Sequence, residues 1–385
     1  MKYIDEYRDG RLANGIAHQI AAIADAARAY DFMEFCGGHT HTIARYGLED
    51  LLPDNVRMIH GPGCPVCVLP MGRIEAAIAL AMRSEITLCI YGDLMRVPGT
   101  SGSSLLKAKA AGADIRIVYS TLDALRIAEA EPEREVVFFA IGFETTTPPT
   151  ALALKTAIAK KLGNFSIFCN HMLTPAAIHN ILENPDARKL GTIKIDGLIG
   201  PAHVSAVIGT KPYEFFAEKF CKPVVVAGFE PLDVMQAILM LVRQINDGRH
   251  AVENQYIRAV TRLGNEKAQA ELANFFDLRE SFEWRGLGAL PYSGLRLRPQ
   301  YEVYDAEKRF SMVTSRARDN SACECAAILC GVKKPAECKL FGTVCTPDTP
   351  MGSCMVSSEG ACAAHWTYRR FRAKGRLADA GRAVA

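Results

Sequence analysis

The sequence predicts an α/β protein, with two similar parallel-sheet βα subdomains followed by an irregular C-terminal domain. Three observations carry that prediction. Eight short apolar runs alternate with longer helical patterns, which is the signature of parallel βα units. The runs divide four and four, near the AEPER stretch at 130–134. From about Asn274 the periodicity fails, and seven of the thirteen cysteines then crowd between Cys323 and Cys362.

Taken in order, the chain opens on a helix with Ile16, Ile20, Ile23 and Ala27 at helical spacing. The first strand group is FMEFC, VRMIHG, TLCIYG and DIRIVYS, and the second is EVVFFAIGF, FSIFCN, DGLIG and PVVVAGF. Loops bearing Gly, Pro or Thr lead from the runs into helices such as Arg73–Arg83, Thr150–Lys161 and Pro231–Arg243. The expected domains are 1–130, holding the opening helix and the first α/β unit, and 131–250, the second α/β unit. The third, 251–385, is a helical linker with a metal-stapled cysteine-rich unit. A stretch that cannot bury enough apolar surface through periodic elements needs such a staple.

Composition narrows the function. Hydrophobic residues make up 49% and charged residues 23%, the balance of a soluble globular chain. No apolar run is long enough to span a membrane, and the start MKYIDEYRDGR is not a secretory signal, so a cytoplasmic protein is expected. A net charge of +3 gives no support for a nucleic-acid partner. The surplus is local: Arg369, Arg370, Arg372, Lys374, Arg376 and Arg382 face one acid, Asp379, in a basic tail. Thirteen cysteines cannot all pair, and thiols this dense in a reducing compartment point to metal or redox chemistry. Cys89, Cys169 and Cys221 sit in or beside apolar runs and read as small buried hydrophobes.

In open parallel sheets, ligands bind outside the carboxyl ends of the strands. The loops there hold Cys36, His39, His41, Cys64, Cys67, Glu144, His171, His203 and Glu230. In CGGHTH, Cys36 precedes a helix whose N-terminal dipole favours a thiolate, fit to be a nucleophile or a metal ligand. His39 can orient it, protonate it or share the metal. GPGCPVC holds Cys64 and Cys67 as C-x-x-C, a spacing for a reversible disulfide or half a zinc site; with no second such pair in the chain, the redox dithiol is the better reading. Its GxG is not a dinucleotide fingerprint, and GTSGSS lacks the lysine of a phosphate loop. In GFETTTP, the threonines cap a helix, while Glu144 can be a general acid, an anchor or a metal-shell carboxylate.

Cys323, Cys338, Cys345 and Cys362 form C-x14-C-x6-C-x16-C. Four thiolates suit zinc or a [4Fe–4S] cluster, and the long spacings, without tight knuckles, favour the cluster. Cys325 rivals Cys323; Cys330 and Cys354 have no assigned task.

CGGHTH, GPGCPVC, GFETTTP, the NHM and GPAHV loops and the terminal CKLFGTVCTPDTPMGSCMVSSEGACAA together resemble the HypD family of [NiFe]-hydrogenase maturation proteins, in order and along nearly the whole chain. One departure is Ala326, where the family pattern has Gly after the C-x-C pair. The resemblance implies a cytoplasmic scaffold for assembly of the Fe(CN)2CO moiety, working with the chaperone HypC and receiving cyanide from HypE. It implies that Cys36 holds the iron jointly with a HypC cysteine and that Cys64 and Cys67 are the redox pair. It also implies one [4Fe–4S] cluster on Cys323, Cys338, Cys345 and Cys362. The alternatives are a free-standing cluster-linked thiol–disulfide oxidoreductase and a zinc-stabilised interaction module.

Overall fold

The computed structural model describes residues 4–183, 194–314 and 320–370. Nine strands build two parallel sheets: β1 (Tyr30–Glu34), β2 (Val56–His60), β3 (Ile86–Ile90), β4 (Asp114–Ile117), β5 (Glu135–Gly142), β6 (Phe165–His171), β7 (Gly197–Pro201), β8 (Val224–Ala227) and β9 (Val252–Asn254). The first sheet runs β2-β1-β7-β8-β9 and the second β4-β3-β5-β6. All pairings within both are parallel. Most of these strands are buried along their length, so they read as apolar runs without alternation.

The two subdomains share a plan, because in each the first strand sits inside the second and the order then reverses outward. Their membership differs from the expected four-and-four split near 130–134. The chain leaves the first sheet after β2, builds the whole of the second sheet, and returns at β7 beside β1. The expected boundaries at 130 and 250 therefore do not divide the sheets. Hydrophobic runs mark strands but carry no record of which sheet each will join. β9, with its sequence Val-Glu-Asn, has no apolar run and was not among the expected strands.

The opening helix is Gly10–Ile23, capped by the Asp9 carboxylate, which accepts from the amides of Arg11 and Leu12. It buries Ala13, Ala17 and Ile20, with Ala17 and Ile20 in one core with Val234, Ile238 and Leu241 of the helix Pro231–Asn246. Ala27 lies beyond its end.

The region after Asn274 is more regular than expected. It forms two antiparallel pairs, β10 (Phe276–Leu278) with β13 (Leu295–Leu297) and β11 (Ser281–Trp284) with β12 (Gly288–Pro291). These pack on the second sheet: Trp284 stacks on Phe143 at 5.7 Å, and the Cys169 thiol donates to the Leu295 carbonyl at 3.3 Å. Cys89 and Cys169 are buried as expected, whereas Cys221 is exposed. It ends the helix Glu214–Phe220 in a left-handed turn, with φ of 51°, that carries it out of the apolar run. No helix among the described residues is long and apolar enough to cross a membrane. Of the basic tail, Arg369 pairs with Glu49 and Asp50, while 371–385 lie outside the described residues.

Candidate functional site

The order reversal in the first sheet falls between β1 and β7, and a crevice opens at the carboxyl ends of strands at such a point. Cys36 stands there, two residues past β1, as the N-cap of the helix Gly37–Tyr46. Its neighbour across the sheet is the loop that follows β2. The Gly63 carbonyl accepts from the Gly37 amide at 2.9 Å, and the Glu34 carbonyl accepts from the Gly61 amide at 2.9 Å. A Cβ on Gly63 would lie 2.6 Å from Cys36 Cα, so only glycine lets the two turns cross this closely. Cys64 follows immediately and is joined to Cys67 as a disulfide, with Cα atoms 5.2 Å apart. Adjacent parallel strands thus bring Cys36 and the dithiol loop into contact.

Glu34 organises this turn. Fully buried at the end of β1, it accepts the Cys36 amide at 2.8 Å on one oxygen. The other oxygen meets the Thr40 hydroxyl and His60 Nδ1, the latter at 2.9 Å. The side chain of Glu359, from the C-terminal unit, lies against Gly37, where a Cβ would stand 2.9 Å from its carboxylate oxygen. Ser357 donates to the Asp93 carboxylate at 2.7 Å and accepts the Glu359 amide at 3.3 Å, which fixes that loop. A cleft of about 310 Å3 opens beside it, lined by Gly38, His41, Arg45, Phe229, Glu230 and Glu359 among others.

The electrostatics correct one expectation. Burial pushes the Cys36 thiol well up, with the negative charges of Glu359 and Glu34 adding to it. The amides of Gly38 and His39 pull the other way but lose, so the free thiol is neutral rather than the thiolate expected from the helix dipole alone. Burial and two carboxylates outweigh a helix N-terminus.

His39 is fully buried, and its Nε2 meets the carbonyls of Ala227 and Gly228 at 3.0 and 2.9 Å. Carbonyls only accept, so Nε2 carries the proton and Nδ1 keeps a lone pair. That Nδ1 has no hydrogen-bond partner among the described residues. Phe229 packs between His39 and His203, with ring centroids 5.2 and 4.1 Å away. The loops after β1, β7 and β8 therefore converge. Glu230 is taken by Arg8 in an ion pair of 2.5 Å, and His41 meets the Tyr368 hydroxyl at 2.9 Å.

Glu144 and His171 stand apart, at the carboxyl ends of β5 and β6. The Glu144 carboxylate accepts both the amide and the hydroxyl of Thr174, at 2.9 and 3.0 Å, and burial pushes its pKa up to about 7. His171 meets the Thr150 hydroxyl at 2.9 Å, and burial lowers it to about 4. Neither hydrogen-bonds a residue of the Cys36 crevice.

The C-terminal thiols gather as well. Cys323, Cys325, Cys338, Cys345 and Cys362 line one small cavity closed by Ile328, Leu340, Phe341 and Met355. Cys323 and Cys325 stand with their sulfurs 3.2 Å apart, and a Cβ on Gly352 would lie 2.5 Å from both. The hydrogen bond from Cys323 holds the Cys325 thiol well below its usual range. No group of three His, Cys, Asp or Glu side chains among the described residues is drawn together tightly enough for a single metal ion. Five soft donors around a shared, apolar-walled cavity fit a thiolate-held cluster, for which four suffice. Cys330 is buried outside that cavity, its sulfur 3.9 Å from the Gly286 carbonyl.

The cage is linked to the crevice. The Ser353 hydroxyl donates to the Cys67 carbonyl at 2.8 Å, and the Ser353 carbonyl lies 3.9 Å from the Cys67 sulfur. The sequence reading missed Glu34, His60, Glu359 and Ser353. Glu34 left a signal, a carboxylate at the buried end of an apolar strand; Glu359 lay within a quoted motif without being singled out; Ser353 left none.

The comparisons with known proteins agree in one direction. A family model described as "HypD: Hydrogenase formation hypA family" matches residues 11–369. The chain is 84% identical over 385 residues, 100% of both chains, to the hydrogenase maturation factor HypD of Rhizobium leguminosarum bv. viciae. It is 64% identical over 372 residues, 97% of this chain and 98% of the relative, to HypD of Cupriavidus necator. To HypD of Escherichia coli K12 it is 48% identical over 375 residues, 96% of this chain and 99% of the relative.

Proposed function

This chain belongs to the HypD family and acts in hydrogenase maturation, and from that premise we propose that it is the scaffold on which the Fe(CN)2CO unit of a [NiFe]-hydrogenase is assembled. The iron is cargo, held by Cys36 together with a cysteine of HypC, and cyanide comes from HypE. One observation carries this reading: the Cys64–Cys67 loop lies on the Cys36 turn, and the cysteine cage touches Cys67 through Ser353.

A thiolate is the ligand type suited to a soft ferrous ion bearing cyanide and carbonyl. The neutral Cys36 thiol gives up its proton as iron binds, and Glu359, the charge that weighs most on it, stands ready to receive it. His39 holds the loops together and keeps an unused lone pair facing the buried interior. Glu144, with a pKa near neutrality, is proposed as a proton reservoir on the second sheet.

Moving cyanide from a thiocyanate-like donor takes two electrons: the S–CN bond breaks, a thiolate leaves and cyanide goes to iron. The Cys64–Cys67 dithiol supplies both by closing to the disulfide and releasing two protons. A [4Fe–4S] cluster on Cys338, Cys345, Cys362 and one of Cys323 and Cys325 would supply single electrons to reopen it.

Infrared spectroscopy of the anaerobically purified protein with HypC tests the reading. Cyanide and carbonyl bands are expected with the wild type and not with Cys36→Ala; bands that persist in the variant overturn it. The closed disulfide favours one second reading, a free-standing thiol–disulfide oxidoreductase. Dithiol activity without any cyanide band would select that one. If Cys64→Ala assembles iron–cyanide undiminished, the dithiol is not the electron source.

A further inference from the structure

Outside the crevice, the short helical turn Asp5–Arg8 buries none of its own residues. It is pinned at two points, and both lead to Glu230. Arg8 forks onto the Glu230 carboxylate, with Nε at 2.5 Å and Nη2 at 2.9 Å. The Arg258 guanidinium lies over the Tyr7 ring at 4.1 Å and pairs with the fully buried Asp233. Asp233 in turn accepts the Glu230 amide at 3.2 Å. The turn is a strap across the loop that follows β8.

That loop carries Phe229. Its ring lies on Gly38, where a Cβ would stand 2.6 Å away, and its carbonyl accepts the Thr42 hydroxyl at 2.5 Å. Both contacts are to the helix that Cys36 caps. Phe229 is half-buried, and with Glu230 it walls two cavities. One is the cleft of about 310 Å3 beside the Cys36 turn. The other, of about 390 Å3, is lined by Ile4, Tyr256, Arg258 and Ala259. An aromatic ring standing between two cavities, on a glycine two residues past a buried thiol, is placed to close it off.

We propose that Phe229 gates access to the Cys36 thiol and that the strap is its latch, with Arg8 on Glu230 holding the gate shut. Swinging the ring off Gly38 joins the two cavities and uncovers the thiol. This rests on the reading of Cys36 as the thiol that holds cargo, and adds how that thiol is reached. The latch is light. Arg8 is 40% exposed, and an ion pair so placed is weak and screened by salt, so it sets a population of closed and open forms. Arg8 is a positioning residue: it acts on Cys36 through Glu230 and Phe229.

The test is the rate at which iodoacetamide alkylates Cys36 in the full-length, anaerobic protein, read by peptide mass spectrometry. The buried thiols Cys89 and Cys169 are the internal references. Arg8→Ala should raise the Cys36 rate about two- to fivefold, the scale of one exposed ion pair acting on an opening equilibrium. Phe229→Ala should raise it further, and Cys89 and Cys169 should stay as slow as in the wild type. Salt at about 1 M should speed the wild type toward Arg8→Ala and leave that variant unmoved. Arg8→Lys, which keeps the charge, should restore part of the protection.

A wild-type rate in Arg8→Ala overturns the latch, and a wild-type rate in Phe229→Ala overturns the gate. Equal acceleration at Cys89 and Cys169 means general loosening and overturns both. If Phe229→Ala does not fold, Phe229→Leu decides on the same readout. These rates are read without iron, so missing cyanide bands would sink the reading of Cys36 and leave the gate standing.

Discussion

The Cys36 crevice and the C-terminal cage both gather sulfur, by different means. In the crevice the position of each group follows from regular structure. β1 and β2 are adjacent and in register, so their two loops must meet, and buried Glu34 ties Cys36, Thr40 and His60 into one knot. In the cage Cys325 and Cys362 stand at the starts of two short helices, Cys325–Leu329 and Ala361–Tyr368, while Cys323, Cys338 and Cys345 sit on irregular chain, and the five share one cavity. Strand pairing can hold a site ready before any cargo arrives. A ring of thiols drawn largely from irregular chain would take its order from a metal group bound there, since metal affinity at such a site is folding free energy.

That contrast can be broken, and the largest effect should come from the cage. Cys362→Ala should lower iron from about four per chain to near none, and open the segment after 320 to proteases. The sheets should survive, as read by circular dichroism. A variant that loses iron yet keeps the segment protected would make the cage as self-supporting as the crevice. Gly63→Ala strikes the crevice instead. Its new Cβ meets Cys36 backbone that cannot give, and a loss of about 3 kcal/mol in denaturant unfolding is expected. Cluster absorbance should not change.

Glu34→Gln should cost about 2 kcal/mol, because a charged acceptor for an amide, a hydroxyl and an imidazole is lost. Faster alkylation of Cys36 should accompany it. The smallest effect belongs to the second sheet and is one of pH. The folded state raises the Glu144 carboxyl to about 7 from its usual 4.5, so folding favours its proton. Its contribution is whole below pH 4.5 and fades as pH rises toward 7. His171, lowered to about 4 from 6.5, acts oppositely, and its contribution fades as pH falls from 6.5 toward 4. Each slope is confined to its own window of pH. Glu144→Gln should flatten the upper one, as read by thermal melting across pH.

The sequence made part of this legible. Short apolar runs ending in Gly-rich turns marked β1 through β8, and their carboxyl ends marked Cys36, Cys64 and Cys67 as neighbours in kind. Sheet membership was not legible, since β7 chooses β1 through contacts 165 residues apart that leave no local trace (Glu34 pairs with Ile199). The Cys36 charge state was misread because the helix dipole is visible in a sequence and burial beside Glu34 and Glu359 is not. Ser353, a small polar residue in a turn, looks like any other serine until Cys67 is placed beside it.

The insertion of one sheet within the other also bears on timing during synthesis. A nascent chain exposes Cys36 early, but the wall supplied by β7 emerges only after the entire second sheet has been made. At about 5–20 residues per second, that interval is about 10–30 seconds. The thiol therefore leaves the ribosome without its pocket, and whatever the finished crevice binds must wait until translation has passed β7.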